Sequence, residues 1–188
     1  MSQKVARASV LAMQCHEGQK RQFSDDPYFF HVIRVAALVG AHPDMGEDEV
    51  CAAVLHDTLE DSDLPPKDIA EQFGDKVLAL VDQLTNRFTS SAYPNESREW
   101  RKNRERARLA SCSRTARIMK MLDRMDNVSE TLFRLQNDTT VTQKFCERYL
   151  DETESMLEAI GDADRRIAGQ LHELVEQTRD AARKAFRN

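Results

Sequence analysis

The chain has 188 residues, 40% of them apolar and 31% charged, with 6% aromatics, six glycines and five prolines. That length suits one domain, or one domain with an appendage, and few breakers with many charges favour helices over a β-sandwich or barrel. A formal net charge of −5 excludes a uniformly basic nucleic-acid binder, and no apolar run approaches the ~20 residues that cross a bilayer. In chain order, the first helix is expected over Gln3 to about Lys20, with Val5, Ala8, Leu11, Ala12 and Cys15 on one face. Phe23 to Asp26 reads as a loop, and Pro27 suits the first turn of a second helix that stops at Gly40. A third helix, Glu47 to Glu60, is strongly apolar in its middle, and Asp61-Ser62-Asp63-Leu64-Pro65-Pro66 breaks it.

Short helices follow at 66–73 and 75–86, then a polar loop, 87–95, read as mobile. A basic helix runs from about Glu96 to Ala110. Ser113 is a plausible N-cap for a helix from Arg114 to about Leu135. After an interruption at 137–140 come a helix over 141–160, with Phe145, Tyr149, Met156 and Leu157 as its apolar candidates, and a last one over 163–186. The fold class is therefore all-α, a multi-helix bundle. The expected division is a catalytic domain over 1–160 and a C-terminal helix in 161–188, open to packing on the domain, to a partner or to a homo-oligomer.

Cys15, Cys51, Cys112 and Cys146 are scattered, with no CxxC pair. That argues against a zinc ribbon or a disulfide framework. The first residues lack a signal-peptide core, so a reducing, cytoplasmic setting is expected. Charge is uneven: residues 98–117 carry eight basic residues against Glu99 and Glu105, a net +6. Such a stretch is a solvated helix face or a neighbour of an anionic ligand.

Three pieces carry chemistry. They are His31; His56-Asp57 with Glu60 and Asp61 in VLHDTLED; and Asp123 with Asn127 in KMLDRMDN. Acids at a helix C-terminus oppose the macrodipole. Asp57 follows a run of Ala, Val and Leu, and Asp123 lies among methionines and a leucine, both poor places for a carboxylate without a partner. A bound divalent metal removes these conflicts, and two imidazoles with two carboxylates suit Mn²⁺, Fe²⁺, Co²⁺ or Zn²⁺ better than Ca²⁺. Adjacent His and Asp point about 100° apart on an ideal helix. Both reach one ion only near a helix end or distortion, which the Pro65-Pro66 break permits.

The order His, His-Asp, Asp resembles the HD-domain metal phosphohydrolases. CHEGQKRQFSDDPYFFHVIRVA, AAVLHDTLEDSDL, FGDKVLALVDQLTN and KMLDRMDNV are similar, in family order, to the motifs of the hydrolase half of the RelA/SpoT family. That resemblance implies an HD-domain bundle and a stand-alone small alarmone hydrolase with no room for a synthetase half. Its activity would be that of a guanosine-3′,5′-bis(diphosphate) 3′-pyrophosphohydrolase of the stringent response, taking the 3′-diphosphate from (p)ppGpp with one Mn²⁺. By similarity, His31, His56, Asp57 and Asp123 bind the metal. Glu60 and Asp61 position or deprotonate the attacking water. Arg21, Asn127 and Tyr149 hold the nucleotide. The implied partner is a nucleotide, with no nucleic acid and no membrane. Departures from the pattern are Val32 after His31, Gln22 after Arg21, Asp25-Asp26 before Pro27 and Asp126 before Asn127. They fall on the region that reads base and phosphates. Alternatives are an HD phosphohydrolase acting on an adenine alarmone or the 2′-phosphate of NADPH, and a non-catalytic nucleotide-binding regulator.

Overall fold

The computed structural model describes residues 2–137 and 140–187, so the interruption expected at 137–140 lies partly outside the described residues. The described chain is all-α, with a lone antiparallel bridge between Lys20 and Pro27 as its only β feature. Among the described residues no helix is long and apolar enough to cross a membrane. Two compact units form: one from the residues up to 21 with 25–87, the other from 22–24 with those from 88 on.

The first unit holds α1 (Gln3–Cys15), α2 (Phe29–Gly40), α3 (Glu47–Leu55), α4 (Thr58–Asp61), α5 (Pro66–Phe73) and α6 (Asp75–Leu84). Its centre is α3, which packs on α1, α2 and α6. The run Cys51-Ala52-Ala53-Val54-Leu55 is buried on every side, as a helix surrounded by others requires. Ala8 and Ala12 of α1 are small enough to let that helix approach α3, and Val32, Val35 and Val39 seal it from α2. Cys51 is a free, buried thiol, and burial pushes its pKa up to about 11, so it stays protonated and serves as packing.

The expected end of α1 and the expected start of α2 move. Helix α1 stops at Cys15 rather than Lys20. His16 caps it at φ −102°, and Gly18 at φ +73° turns the chain back, a conformation for which glycine is suited because it lacks a Cβ. Pro27 does not open α2, which starts at Phe29. It lies instead in the bridge with Lys20, where Arg21 N–H donates to Asp26 O (3.0 Å) and Tyr28 N–H donates to Gln19 O (2.9 Å). The motif HEGQKR…PY is thus a pinned hairpin leading into α2.

The second unit holds α7 (Arg98–Ala110), α8 (Arg114–Asn137), α9 (Gln143–Ile160), a 3-10 turn at Gly161–Ala163 and α10 (Arg165–Ala185). Helix α10 packs along α8 and α9, with Ile167, Leu171 and Val175 buried. Its N-cap, Asp164, accepts from the amides of Arg166 and Ile167. Ser113 Oγ accepts from Ala116 N–H, the cap expected for α8. On α9 the buried face is Cys146, Leu150, Thr153, Met156 and Ile160. Phe145 and Tyr149 lie beside that face, half-buried, and stack on each other at 5.3 Å.

The segment 87–95, read from sequence as mobile, is tied to α7. Phe88, Tyr93 and Trp100 form an aromatic triangle with centroids 5.2–5.9 Å apart, and the Arg101 guanidinium donates to the carbonyls of Tyr93 and Glu96. Most of the +6 stretch is likewise used inside this unit. Arg98 makes a two-pronged bond to Glu152 (2.7 and 3.0 Å), Arg108 pairs with Glu105, Arg117 with Asp162, and Arg114 donates to Ala163 O.

The central position of α3 sets a test of the packing. Leu55→Ala should lower unfolding free energy by about 2–5 kcal/mol in denaturant melts. Val10→Ala, at a position half-exposed on α1, should stay within about 0.5 kcal/mol.

Candidate metal centre

Helix α3 ends at Leu55 and α4 starts at Thr58, so His56 and Asp57 occupy a break between two helices. Asp57 sits at φ −101°, ψ −4°, turned out of ideal helical geometry. Thr58, fully buried, donates its hydroxyl to Leu55 O (2.7 Å), and the amides of Glu60 and Asp61 donate to Asp57 O. The break lies at the motif itself, nine residues before the Pro65-Pro66 pair from which distortion was expected. It answers the geometric objection that neighbouring helical side chains diverge.

His31 comes from the first turn of α2 and is 1% exposed; His56 is 2% exposed. Their ring centroids are 5.3 Å apart, and each offers a ring nitrogen within 4.8 Å of the other's. Both Nε2 atoms face one oxygen of Asp57: Oδ2 is 2.9 Å from His56 Nε2 and 3.9 Å from His31 Nε2. Nδ1 of His56 lies 2.8 Å from Ala53 O, which only accepts, so Nδ1 carries the proton. Nε2 then turns its lone pair toward a carboxylate. That contact is favourable only with positive charge present, a second ring proton or a metal cation in its place. A metal-bound imidazole typically donates its other ring N–H to a backbone carbonyl or carboxylate, as Nδ1 of His56 does to Ala53 O. The donor set thus fits a divalent metal of the Mn²⁺–Zn²⁺ series.

Around this cluster the first unit arranges further polar side chains. Tyr28 donates its hydroxyl to Asp57 Oδ2 at 2.5 Å. Its ring packs against His31 (5.3 Å) and His16 (5.0 Å). Arg21 lies over the same ring, 5.4 Å from its centroid. Glu60 accepts from Asn86 N–H (3.1 Å), and Asp61 accepts from Gln19 Nε2 (3.0 Å). Two expected site carboxylates are therefore anchored by segments remote in sequence. The roles of Tyr28, Gln19 and Asn86 are absent from the sequence reading. The spacing of Tyr28 three residues before His31 was the one available clue, since such residues share a helix face.

The remaining expected residues lie on the second unit. Asp123, on α8, is buried, with Lys120 Nζ at 2.7 Å from Oδ2 and Asn127 Nδ2 donating to Oδ1 at 2.8 Å. The acid among apolar neighbours thus has a cation one turn away, and Asn127 fixes its orientation. Tyr149 carries the Arg124 guanidinium over its ring at 4.5 Å, and Phe145, stacked on Tyr149, meets Phe23 edge-on at 4.6 Å. Nearby, burial, with the charge of Arg124 next to it, pushes the Lys102 ammonium down to about 8.

An all-α chain with paired histidines and a His-Asp step defines a class, and comparison with known proteins agrees. Residues 8–132 match the HD domain, and the chain belongs to that family. It is 33% identical over 150 residues to a guanosine-3′,5′-bis(diphosphate) 3′-pyrophosphohydrolase of Aquifex aeolicus, covering 79% of this chain and 21% of that protein. It is 44% identical over 81 residues to the GTP pyrophosphokinase rsh of Brucella melitensis, covering 42% of this chain and 10% of that one. The chain thus spans 21% and 10% of the length of these relatives. Among solved structures, a metazoan ortholog of SpoT that hydrolyzes ppGpp and plays a role in starvation responses superposes with a TM-score of 0.79. It is 25% identical, with 94% of this chain and 96% of that chain covered.

The Tyr28–Asp57 bond sets the second test. Tyr28→Phe keeps the ring and removes the donor. Calorimetric titration with Mn²⁺ should show affinity about 10–100-fold weaker with the fold intact. Unchanged affinity would show that the bond does not orient Asp57 for a metal.

Proposed function

We propose that the chain is a metal-dependent phosphohydrolase that cleaves the 3′-diphosphate of (p)ppGpp, releasing pyrophosphate and GDP or GTP, with Mn²⁺ as its ion. The observation that carries this reading is the break at His56-Asp57. It turns both residues toward His31 and puts Glu60 and Asp61 in the very next turn. The names borne by the Aquifex relative and by the SpoT ortholog support the choice of substrate.

His31, His56 and Asp57 are the proposed ligands from the first unit, and the family order adds Asp123 from α8. When bound, a divalent metal polarises the phosphoryl oxygen and lowers the pKa of water. The protein's own part is positional. Glu60 and Asp61, held by Asn86 N–H and Gln19, orient a water and accept its proton. The water oxygen attacks the phosphorus on O3′, the P–O3′ bond breaks, and the proton leaves with the 3′-oxygen. Phosphoryl transfer of this kind depends chiefly on orientation and charge neutralisation. Arg21, braced on Tyr28, supplies a cation and a flat face for base or phosphate. Asn127 and Tyr149 are the proposed nucleotide contacts from the second unit. The partner is a free nucleotide rather than nucleic acid or a membrane, and the proposed compartment is the cytoplasm.

A nucleotide panel with Mn²⁺, scored by product, tests the reading. Pyrophosphate should be released from ppGpp. Turnover of an adenine alarmone or NADPH with ppGpp untouched would contradict it. Asp57→Ala should lose metal and turnover together, while Glu60→Ala should keep the metal and slow hydrolysis by ~10²–10⁴-fold.

A further inference from the structure

The turn after α1 holds His16, to which the proposed chemistry gives no role, and Gln19, which bonds Asp61. His16 is buried, 3% exposed, and its Nδ1 lies 2.6 Å from Gln19 Oε1. An amide oxygen only accepts, so His16 donates from Nδ1. This contact sets which way the Gln19 amide faces. With Oε1 on His16, Nε2 is turned to Asp61 and donates to Oδ2 at 3.0 Å. The flipped amide would set its oxygen against a carboxylate. Among the described residues, Gln19 is the one side chain that donates to the Asp61 carboxylate.

We infer that Gln19, locked by His16, is a positioning residue that holds Asp61 through one oxygen and leaves the other for the attacking water. This rests on the hydrolase reading above. The side chain is not needed to shape the turn, which backbone bonds already hold: Gln19 N–H to His16 O, Tyr28 N–H to Gln19 O and Arg21 N–H to Asp26 O. Gly18, at φ +73°, supplies the reversal that brings residue 19 there. A residue serving only the fold would be felt in stability and not in turnover; a residue serving Asp61 is felt in turnover.

The test uses the whole chain loaded with Mn²⁺ and ppGpp. Gln19→Ala should lower kcat by about 10–100-fold, with KM and Mn²⁺ affinity unchanged and a small fall in Tm, because the buried His16 Nδ1–H loses its acceptor. Gln19→Glu keeps the acceptor for His16 but has no donor for Asp61, so it should lose at least as much. In an Asp61→Ala background, Gln19→Ala should cost nothing further. The inference is overturned if kcat of Gln19→Ala stays within about twofold of wild type, or if its loss is the same with and without Asp61. It is equally overturned if Gln19→Glu, which keeps the His16 contact and loses only the donor to Asp61, retains wild-type kcat. A second readout needs no turnover: the Gln19 side-chain amide signals in NMR spectra should move in Asp61→Ala and stay in Asp63→Ala. Signals that ignore Asp61 overturn the positioning role. A wild type that leaves ppGpp intact while the signals respond to Asp61 contradicts the hydrolase reading and keeps the contact.

Discussion

The His56–Asp57 step is the constraint on which the rest of the candidate site depends. Side chains of adjacent helical residues diverge by about 100°, so a continuous α3 would present only one of the two to His31. The chain resolves this by ending α3 at Leu55 and restarting at Thr58, with Asp57 as the hinge residue. The restart is short and is held by groups of its own. Thr58 bonds back to Leu55, and the Asp57 carbonyl receives two amides of the next turn. The same break puts Glu60 and Asp61 within one turn of Asp57, so the proposed metal ligands and the proposed water-handling acids share one local distortion.

Around that step the first unit is built as a set of hydrogen bonds from outside. The hairpin of residues 16–28 brings Tyr28 to Asp57 and Gln19 to Asp61, while the end of α6 brings the Asn86 amide to Glu60. Each carboxylate of the VLHDTLED segment thus has an oriented donor from outside that segment. This matters because an exposed acid loses little by rotating, and a water is activated only by a carboxylate held in place. The packing of α3 between α1, α2 and α6 gives those donors a rigid base.

Much of this was legible in the residues. Helical periodicity with caps such as Ser113 located α8, and the mismatch of acids among apolar neighbours singled out Asp57 and Asp123. What was not legible has physical reasons. No glycine or proline marks the break at 56–57, so the visible Pro65-Pro66 pair drew the expected distortion downstream. Helix α1 ends early because Gly18 sits in a left-handed turn that periodicity alone does not reveal. The basic stretch looked like a surface charge because its acidic partners, Glu152 and Asp162, lie some fifty residues away in sequence. The apolar face of α9 is displaced by one residue from the aromatic pair that drew the eye, since Phe145 and Tyr149 flank Cys146 and Leu150. The hydrogen bonds of Gln19 and Tyr28 join segments 29–42 residues apart and leave no local pattern.

The central claim is that one cation binds where His31, His56 and Asp57 converge. Anomalous diffraction at the manganese edge, from crystals grown with Mn²⁺, addresses it directly. A single strong peak in coordination distance of Nε2 of His31, Nε2 of His56 and Oδ2 of Asp57 is predicted. No peak there, with Mn²⁺ bound elsewhere on the chain, would contradict the account.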